Sequence, residues 1–249
     1  MSGHSKWHNI KIRKQAQDKQ KSKIFGKLSR EIIAAAREGG GDPDANVRLR
    51  AAVDKARSVG MPQDNIKRAV QRGTGEIEGV TYESAVYEGY GPGGVAIMVE
   101  LLTDNRNRVV GELRSIFGRH GGNLGASNSV AWLFDRKGVI IVPRKGVLED
   151  KVLEAALEAG AEDMQTDESS YEIRTDPGEL DAVKQALDAK SISYDSAEVT
   201  MVPQTRVTLQ EKEAQQLLRL LDALEDQDDV QQVYANFDIP DQIMEAVAA

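Results

Sequence analysis

The chain has 249 residues, 40% of them hydrophobic, no cysteine and a formal net charge of −8. The missing cysteines exclude disulfide bonds and thiol catalysis, and fit a reducing compartment. No apolar run approaches the ~20 residues that a membrane span needs, and residues 1–14 lack the apolar stretch of a secretory signal, so a soluble, cytoplasmic protein is expected.

The acidic total, with an isoelectric point near 5.1, hides a division. Residues 1–80 hold 17 Lys and Arg against 9 Asp and Glu, a net +8, whereas residues 81–249 are net −16. A basic head on an acidic body is the asymmetry expected when one end of a chain meets nucleic acid. The first thirty residues concentrate it, with nine cations and the single acid Asp18. Trp7, His4 and His8 stand among them, a mixture suited to phosphate contact and base stacking. A solvated basic tail with Trp7 tucked into the fold is the plain alternative.

From Ser5 to Gln17 no helical apolar face is present, and an extended arm is expected. Ile24, Phe25, Leu28, Ile32, Ala35 and Ala36 then recur at helical spacing, with Gly39, Gly40 and Gly41 as the stop. Asp44 or Asn46 is suited to cap a second helix, whose apolar positions are Leu49, Ala52, Val53 and Ala56. A third starts at Met61-Pro62, where proline's missing N–H costs nothing. It carries Ile66, Ala69 and Val70 inward and is expected to end at Gly73. These make a three-helix bundle. The junction 58–62 permits a helix-turn-helix, but any small bundle has such a turn. Cations spread over all three helices favour contact with the nucleic-acid backbone over base readout.

In the acidic part, strands are expected over 82–90 and 95–102. The intervening Gly89-Tyr90-Gly91-Pro92-Gly93-Gly94 satisfies G-x-G-x-x-G as a string. A strand follows it, however, so there is no helix N-terminus to receive a phosphate, and a hairpin loop is the better reading. A helix opens at 103–108, capped by Asp104 or Thr103, with Val109, Val110, Leu113, Ile116 and Phe117 inward. Arg106 and Arg108 at its N-terminus oppose the helix dipole. Either an acidic partner or an internal salt bridge would explain them. A strand is expected over 130–134. From Gly138 the order strand 139–142, helix 149–159, strand 161–166, strand 171–174, helix 179–189, strand 197–202 is the ferredoxin-like βαββαβ arrangement. A helix over 210–224, a strand over 230–237 and an outer helix over 240–247 complete the chain.

The expected fold is therefore α+β: an N-terminal three-helix bundle followed by two α/β sandwich domains, the ferredoxin-like one inserted into the other. The expected division is 1–80, then 81–137 plus 205–249, with 138–204 as the insert. Chemistry-bearing patterns are thin. His4 and His8 lack Cys or carboxylate companions for zinc, the Asp226, Asp228 and Asp229 run lacks calcium-loop spacing, and neither a Walker loop nor G-x-S-x-G is present. No catalytic residue, metal or cofactor is expected.

Several stretches resemble the YebC family. These are Gly3-His4-Ser5-Lys6-Trp7, residues 39–46 (GGGDPDAN), residues 49–56 (LRAAVDKA), residues 87–94 (YEGYGPGG), Asp104-Asn105-Arg106-Asn107-Arg108, residues 121–125 (GGNLG) and residues 154–163 (EAALEAGAED). The likeness covers nearly the whole chain. It implies an N-terminal helical domain and two α/β domains around a cleft. It also implies a regulator: bacterial members are usually described as DNA-binding transcriptional regulators, the mitochondrial relative as a translational activator.

Together these readings give a non-enzymatic nucleic-acid-binding regulator of gene expression. Its expected contacts are Lys6, Trp7, His8, Lys11, Arg13, Lys14, Lys21, Lys23, Lys27, Arg30, Arg48 and Arg50, with a second contact at Arg106 and Arg108. DNA is the first expected partner. The alternatives are ribosomal or transfer RNA on the ribosome, and a basic protein held by the acidic α/β domains.

Overall fold

The structure is a computed structural model that describes residues 18–240 except Glu168, together with Ile243; side chains are described from Lys21 onward. The expected extended arm and most of the outer helix at 240–247 lie outside the described residues.

Three helices open the described chain: α1 (Asp18–Gly39), α2 (Val47–Ser58) and α3 (Gln63–Thr74). Asn46 caps α2 by accepting from the Leu49 N–H at 3.0 Å, which resolves the choice between Asp44 and Asn46. Leu49, Ala52, Val53 and Ala56 are all buried against Leu28, Ile32, Ile33, Ala35, Ala36 and Ile66. Gly73 does not stop α3. The helix runs to Thr74 and closes on Gly75 at φ +83°, while Gly73 faces α1, where a Cβ would sit 2.6 Å from the Ala36 Cβ and the Ile33 carbonyl. The glycine is there for the close approach of two helices.

The first sheet joins distant parts of the chain. Strands β1 (Glu83–Tyr90) and β2 (Ala96–Thr103) form an antiparallel hairpin in register from Glu83 opposite Thr103 to Tyr90 opposite Ala96. Gly91–Gly94 makes the turn, as expected of a hairpin loop, with Gly93 and Gly94 at positive φ. Helix α4 (Arg106–Arg119) and the short β3 (Asn123–Leu124) follow. Asn105 caps α4, not Asp104 or Thr103: its side chain accepts from the Arg108 N–H at 3.0 Å. Thr103 sits two residues back and its hydroxyl accepts from the Asn105 N–H at 3.1 Å.

The strand expected over 130–134 is instead a 3₁₀ turn, Ala131–Leu133, leading into β4 (Phe134–Pro143). The latter starts ahead of the boundary expected at 137/138. With α5 (Glu149–Glu158), β5 (Ala161–Thr166), β6 (Ser170–Thr175), α6 (Leu180–Ala189) and β7 (Ser196–Pro203), it forms a sheet of order β5-β6-β4-β7. All its neighbours are antiparallel, the ferredoxin-like pattern. Its helices bury Val152, Ala155, Ala156, Val183 and Leu187 against Ile140, Val142 and Ile173.

The chain then returns through β8 (Val207–Thr208), α7 (Glu211–Glu225), β9 (Val230–Ala235) and β10 (Phe237–Asp238). The strand expected over 230–237 is thus divided. Its first part pairs with β2, giving the order β3-β1-β2-β9, and its second pairs in parallel with β8. One face of this sheet packs Ile97, Val99 and Leu101 with Val109, Leu113 and Phe117 of α4 and Leu217, Leu221 and Leu224 of α7. On its other face Ala96, Met98 and Tyr234 meet Val130, Phe134 and Met201, an apolar seam that fixes the ferredoxin-like body.

Candidate nucleic-acid interface

Lys6, Trp7, His8, Lys11, Arg13 and Lys14 lie outside the described residues. Lys21 is exposed at the start of α1. Lys23, Lys27 and Arg30 share one face of α1, four and three residues apart, as helical spacing requires. That face is turned toward the carboxyl end of α7. The Lys23 ammonium pairs with Asp226 at 3.1 Å, and Lys27 donates to the Glu225 carbonyl at 2.6 Å. Arg30 donates to the Asp228 carbonyl, lies 3.8 Å from the Asp229 carboxylate and stacks over the Tyr82 ring at 5.8 Å. Three expected contact residues are therefore engaged within the chain.

Arg48 pairs with Glu38. Arg50 donates to the carbonyls of Pro43 and Asp44 at 2.9 and 2.7 Å, tying the loop before α2. Arg106 pairs with Glu83 at 2.9 Å, and Arg108 bridges Asp104 at 2.9 Å and Asp229 at 2.6 Å. Hydrogen bonding to Asp104 first, with Asp229 adding to it, raises the Arg108 guanidinium above its ordinary value. The same bond lowers the Asp104 carboxyl. Of the two explanations offered for Arg106 and Arg108, the internal salt bridge is the one these contacts display.

Other cations stand exposed on the helical head. Arg37, Lys55, Lys67, Arg68 and Arg72 are exposed and make no ion pair among the described residues. None of the five is among the individual contacts expected from the sequence, most of which lie in the charge-dense start of the chain. Lys55 joins Lys23, Lys27 and Arg48 along one wall of a cleft of about 640 Å³ between the head and the first sheet. Val86, half-exposed, and Gln232 belong to the opposite wall.

A second feature went unread. Glu88, only 6% exposed, accepts from the backbone N–H groups of Asn128, Val130 and Ala131 at 2.6, 2.7 and 2.8 Å. Burial pushes its carboxyl up, but the three donors outweigh burial and hold it below the usual carboxylate range. The loop it fixes carries Asn128 at φ +63° and presents Trp132, a residue 67% exposed. The Ser129 carbonyl accepts from both the Trp132 indole N–H and the Tyr90 hydroxyl, at 3.1 and 3.0 Å. A buried carboxylate thus holds the base of an exposed aromatic ring. The sequence signal was faint: a glutamate in a strand face that otherwise alternates apolar.

Among the described residues no three His, Cys, Asp or Glu side chains are placed to hold a metal ion, and no helix is long and apolar enough to cross a membrane. The arrangement defines a class of α+β protein: a cationic helical head set against an acidic body built on two four-stranded sheets. Residues 5–76 match the family model described as the TACO1/YebC protein N-terminal domain, and residues 82–237 match the TACO1/YebC second and third domain. The chain belongs to the TACO1/YebC family. A relative from Persephonella marina is 56% identical over the whole of both chains. One from Geobacter sulfurreducens is 55% identical over 98% of this chain and 99% of its own. Both are named probable transcriptional regulatory proteins. The crystal structure of a conserved hypothetical protein from Aquifex aeolicus superposes with a TM-score of 0.79 at 51% identity, over 90% of this chain and 93% of that one.

Proposed function

We propose that this protein is a non-enzymatic regulator of gene expression that binds nucleic acid through its helical head, with DNA at transcription as the first reading. The observation that carries it is the charge division, net +8 over residues 1–80 against −16 beyond. The surface cations Arg37, Lys55, Lys67, Arg68 and Arg72, which make no ion pair among the described residues, support it, as do the names of the relatives. Lys6, Trp7, His8, Lys11, Arg13, Lys14 and Lys21 are assigned to the same contact. The negative body repels the same polyanion and so orients its approach. The protein acts in the cytoplasm.

If about six cations meet phosphates, log affinity falls with log salt at a slope near −5. Charge reversal at Lys6, Lys11, Arg13 and Lys14 flattens that slope. Unchanged binding and slope in the reversed protein would overturn the assignment.

The exposed Trp132 ring favours a second reading, in which the partner is RNA with unpaired bases that stack on it. Crosslinking in cells followed by sequencing of the bound strands separates the two, since recovery of ribosomal RNA rejects DNA as the working partner.

A further inference from the structure

The two attachments to the central body differ in kind. The ferredoxin-like body is fixed by the apolar seam of Ala96, Met98, Val130, Phe134 and Tyr234. The head is held at the end of α7 largely by charge. That end is electrically negative for two reasons. The last turn of α7 has no basic residue to offset the partial negative charge of the helix's carbonyl end, and four acids, Glu225, Asp226, Asp228 and Asp229, lie within five residues there. Three cations of the head offset it, Lys23 on Asp226, Lys27 on the Glu225 carbonyl, and Arg30 on the Asp228 carbonyl and near Asp229, alongside Arg108 of the body on Asp229. An array of carboxylates and carbonyls receiving Lys and Arg is what a phosphate backbone also offers. The fit is incomplete, because the Arg30 Nε is buried without an acceptor among the described residues. Asp229, 2% exposed, is otherwise committed to Arg108 and Thr103.

We infer that the carboxyl end of α7 is an internal competitor for the polyanion: it occupies the Lys23, Lys27 and Arg30 face of α1, and nucleic-acid phosphates displace it, freeing the head from the body. The inference rests on the nucleic-acid reading above. It explains why three cations of the basic face are engaged within the chain. Binding and release of the head are then one equilibrium, and the docked population lowers apparent affinity by the fraction of heads that are free. Because exposed ion pairs are screened, salt loosens the docking as well as the binding.

The absence of cysteine makes the test clean. A Ser58→Cys, Gln216→Cys protein takes a donor and acceptor dye on the head and on α7, both in the full chain. A mixed-sequence DNA duplex and a mixed-sequence single-stranded RNA serve as probes. Energy transfer is expected to fall as either probe saturates the protein, and to fall with added sodium chloride alone. The unlabelled Asp226→Ala and Asp229→Asn proteins, each checked by circular dichroism, are expected to bind the probe about two- to fivefold more tightly, the scale of one weak ion pair. Asp226 is exposed, so its variant keeps the comparison valid if Asp229→Asn fails to fold. Saturable binding with unchanged transfer and unchanged variant affinity overturns the internal competitor while leaving the functional reading in place. Binding of neither probe overturns both.

Discussion

Two single residues show how local chemistry decides a substitution. Replacing Gly73 with alanine raises intrinsic helix propensity by up to ~1 kcal/mol. It also places a Cβ 2.6 Å from the Ala36 Cβ and the Ile33 carbonyl, and overpacking of that kind costs ~1–3 kcal/mol. The steric cost wins, so Gly73→Ala lowers the urea midpoint without changing the slope; an unchanged midpoint would show that α1 and α3 can separate freely. Glu88→Gln keeps the shape but sets an amide N–H₂ against backbone donors. A buried donor left without its acceptor costs about 1–3 kcal/mol, and the loop bearing Trp132 loosens. The pH dependence has a definite sign. Glu88 is held below its ordinary value of 4.5, so its stabilisation is complete above that value and is lost as pH falls through the lower folded value. Urea titrations should therefore show wild type and Glu88→Gln far apart at neutral pH and converging in acid below 4.5; a constant gap would contradict the ionised clamp.

At the scale of elements, two asparagines cap two helices and differ in what else they hold. Asn105 accepts from the Arg108 N–H at the start of α4. Asn46 accepts from the Leu49 N–H and also donates to the carbonyls of Ala35 and Gly40, at 2.8 and 2.9 Å, joining the end of α1 to the start of α2. Aspartate is as good a cap as asparagine but has no donor when ionised. Asn105→Asp should therefore be nearly neutral, and Asn46→Asp should cost about 1–3 kcal/mol, read as a difference in thermal midpoints; equal effects would deny Asn46 its second role. This contrast also marks what the sequence can reveal. Period and breakers located all seven described helices, because burial of Leu49, Ala52, Val53 and Ala56 or of Leu217, Leu221 and Leu224 is written in helical spacing. Gly73 was misread because a glycine that ends a helix and one that lets two helices touch look alike without the partner. Residues 130–134 were misread for a related reason. Val130 is buried by neighbours far along the chain, Ala96, Met98 and Tyr234, and not by pairing in a sheet, Trp132 is exposed, and only Phe134 enters a strand, as the start of β4.

For the whole molecule, charge asymmetry was legible and its internal use was not. Lys23, Lys27 and Arg30 stand 198 or more residues from the acceptors they meet on α7 and after it; only the return of the chain to pair β9 with β2 brings them together. The same long return bears on the division of the chain, for which we propose an insert bounded by β4 and β7. Phe134 and Pro203 are register partners, and Gln204 donates its backbone N–H to the Leu133 carbonyl at 2.9 Å. The two ends of the insert therefore lie one strand spacing apart, roughly 5 Å, a gap that a two-residue turn closes. Its own core of Ile140, Val142, Val152, Ile173, Val183 and Leu187 owes nothing to the other bodies. Residues 134–203 made alone should fold cooperatively, with dispersed amide signals in NMR. The remaining chain, joined by Asn-Gly in place of the insert, should keep its helical head and first sheet but expose Ala96, Met98 and Tyr234, and so bind a hydrophobic dye. Failure of the isolated piece to fold, together with unfolding of the remainder, would mean that the seam between them is the protein's common core and that the two sheets form a single unit.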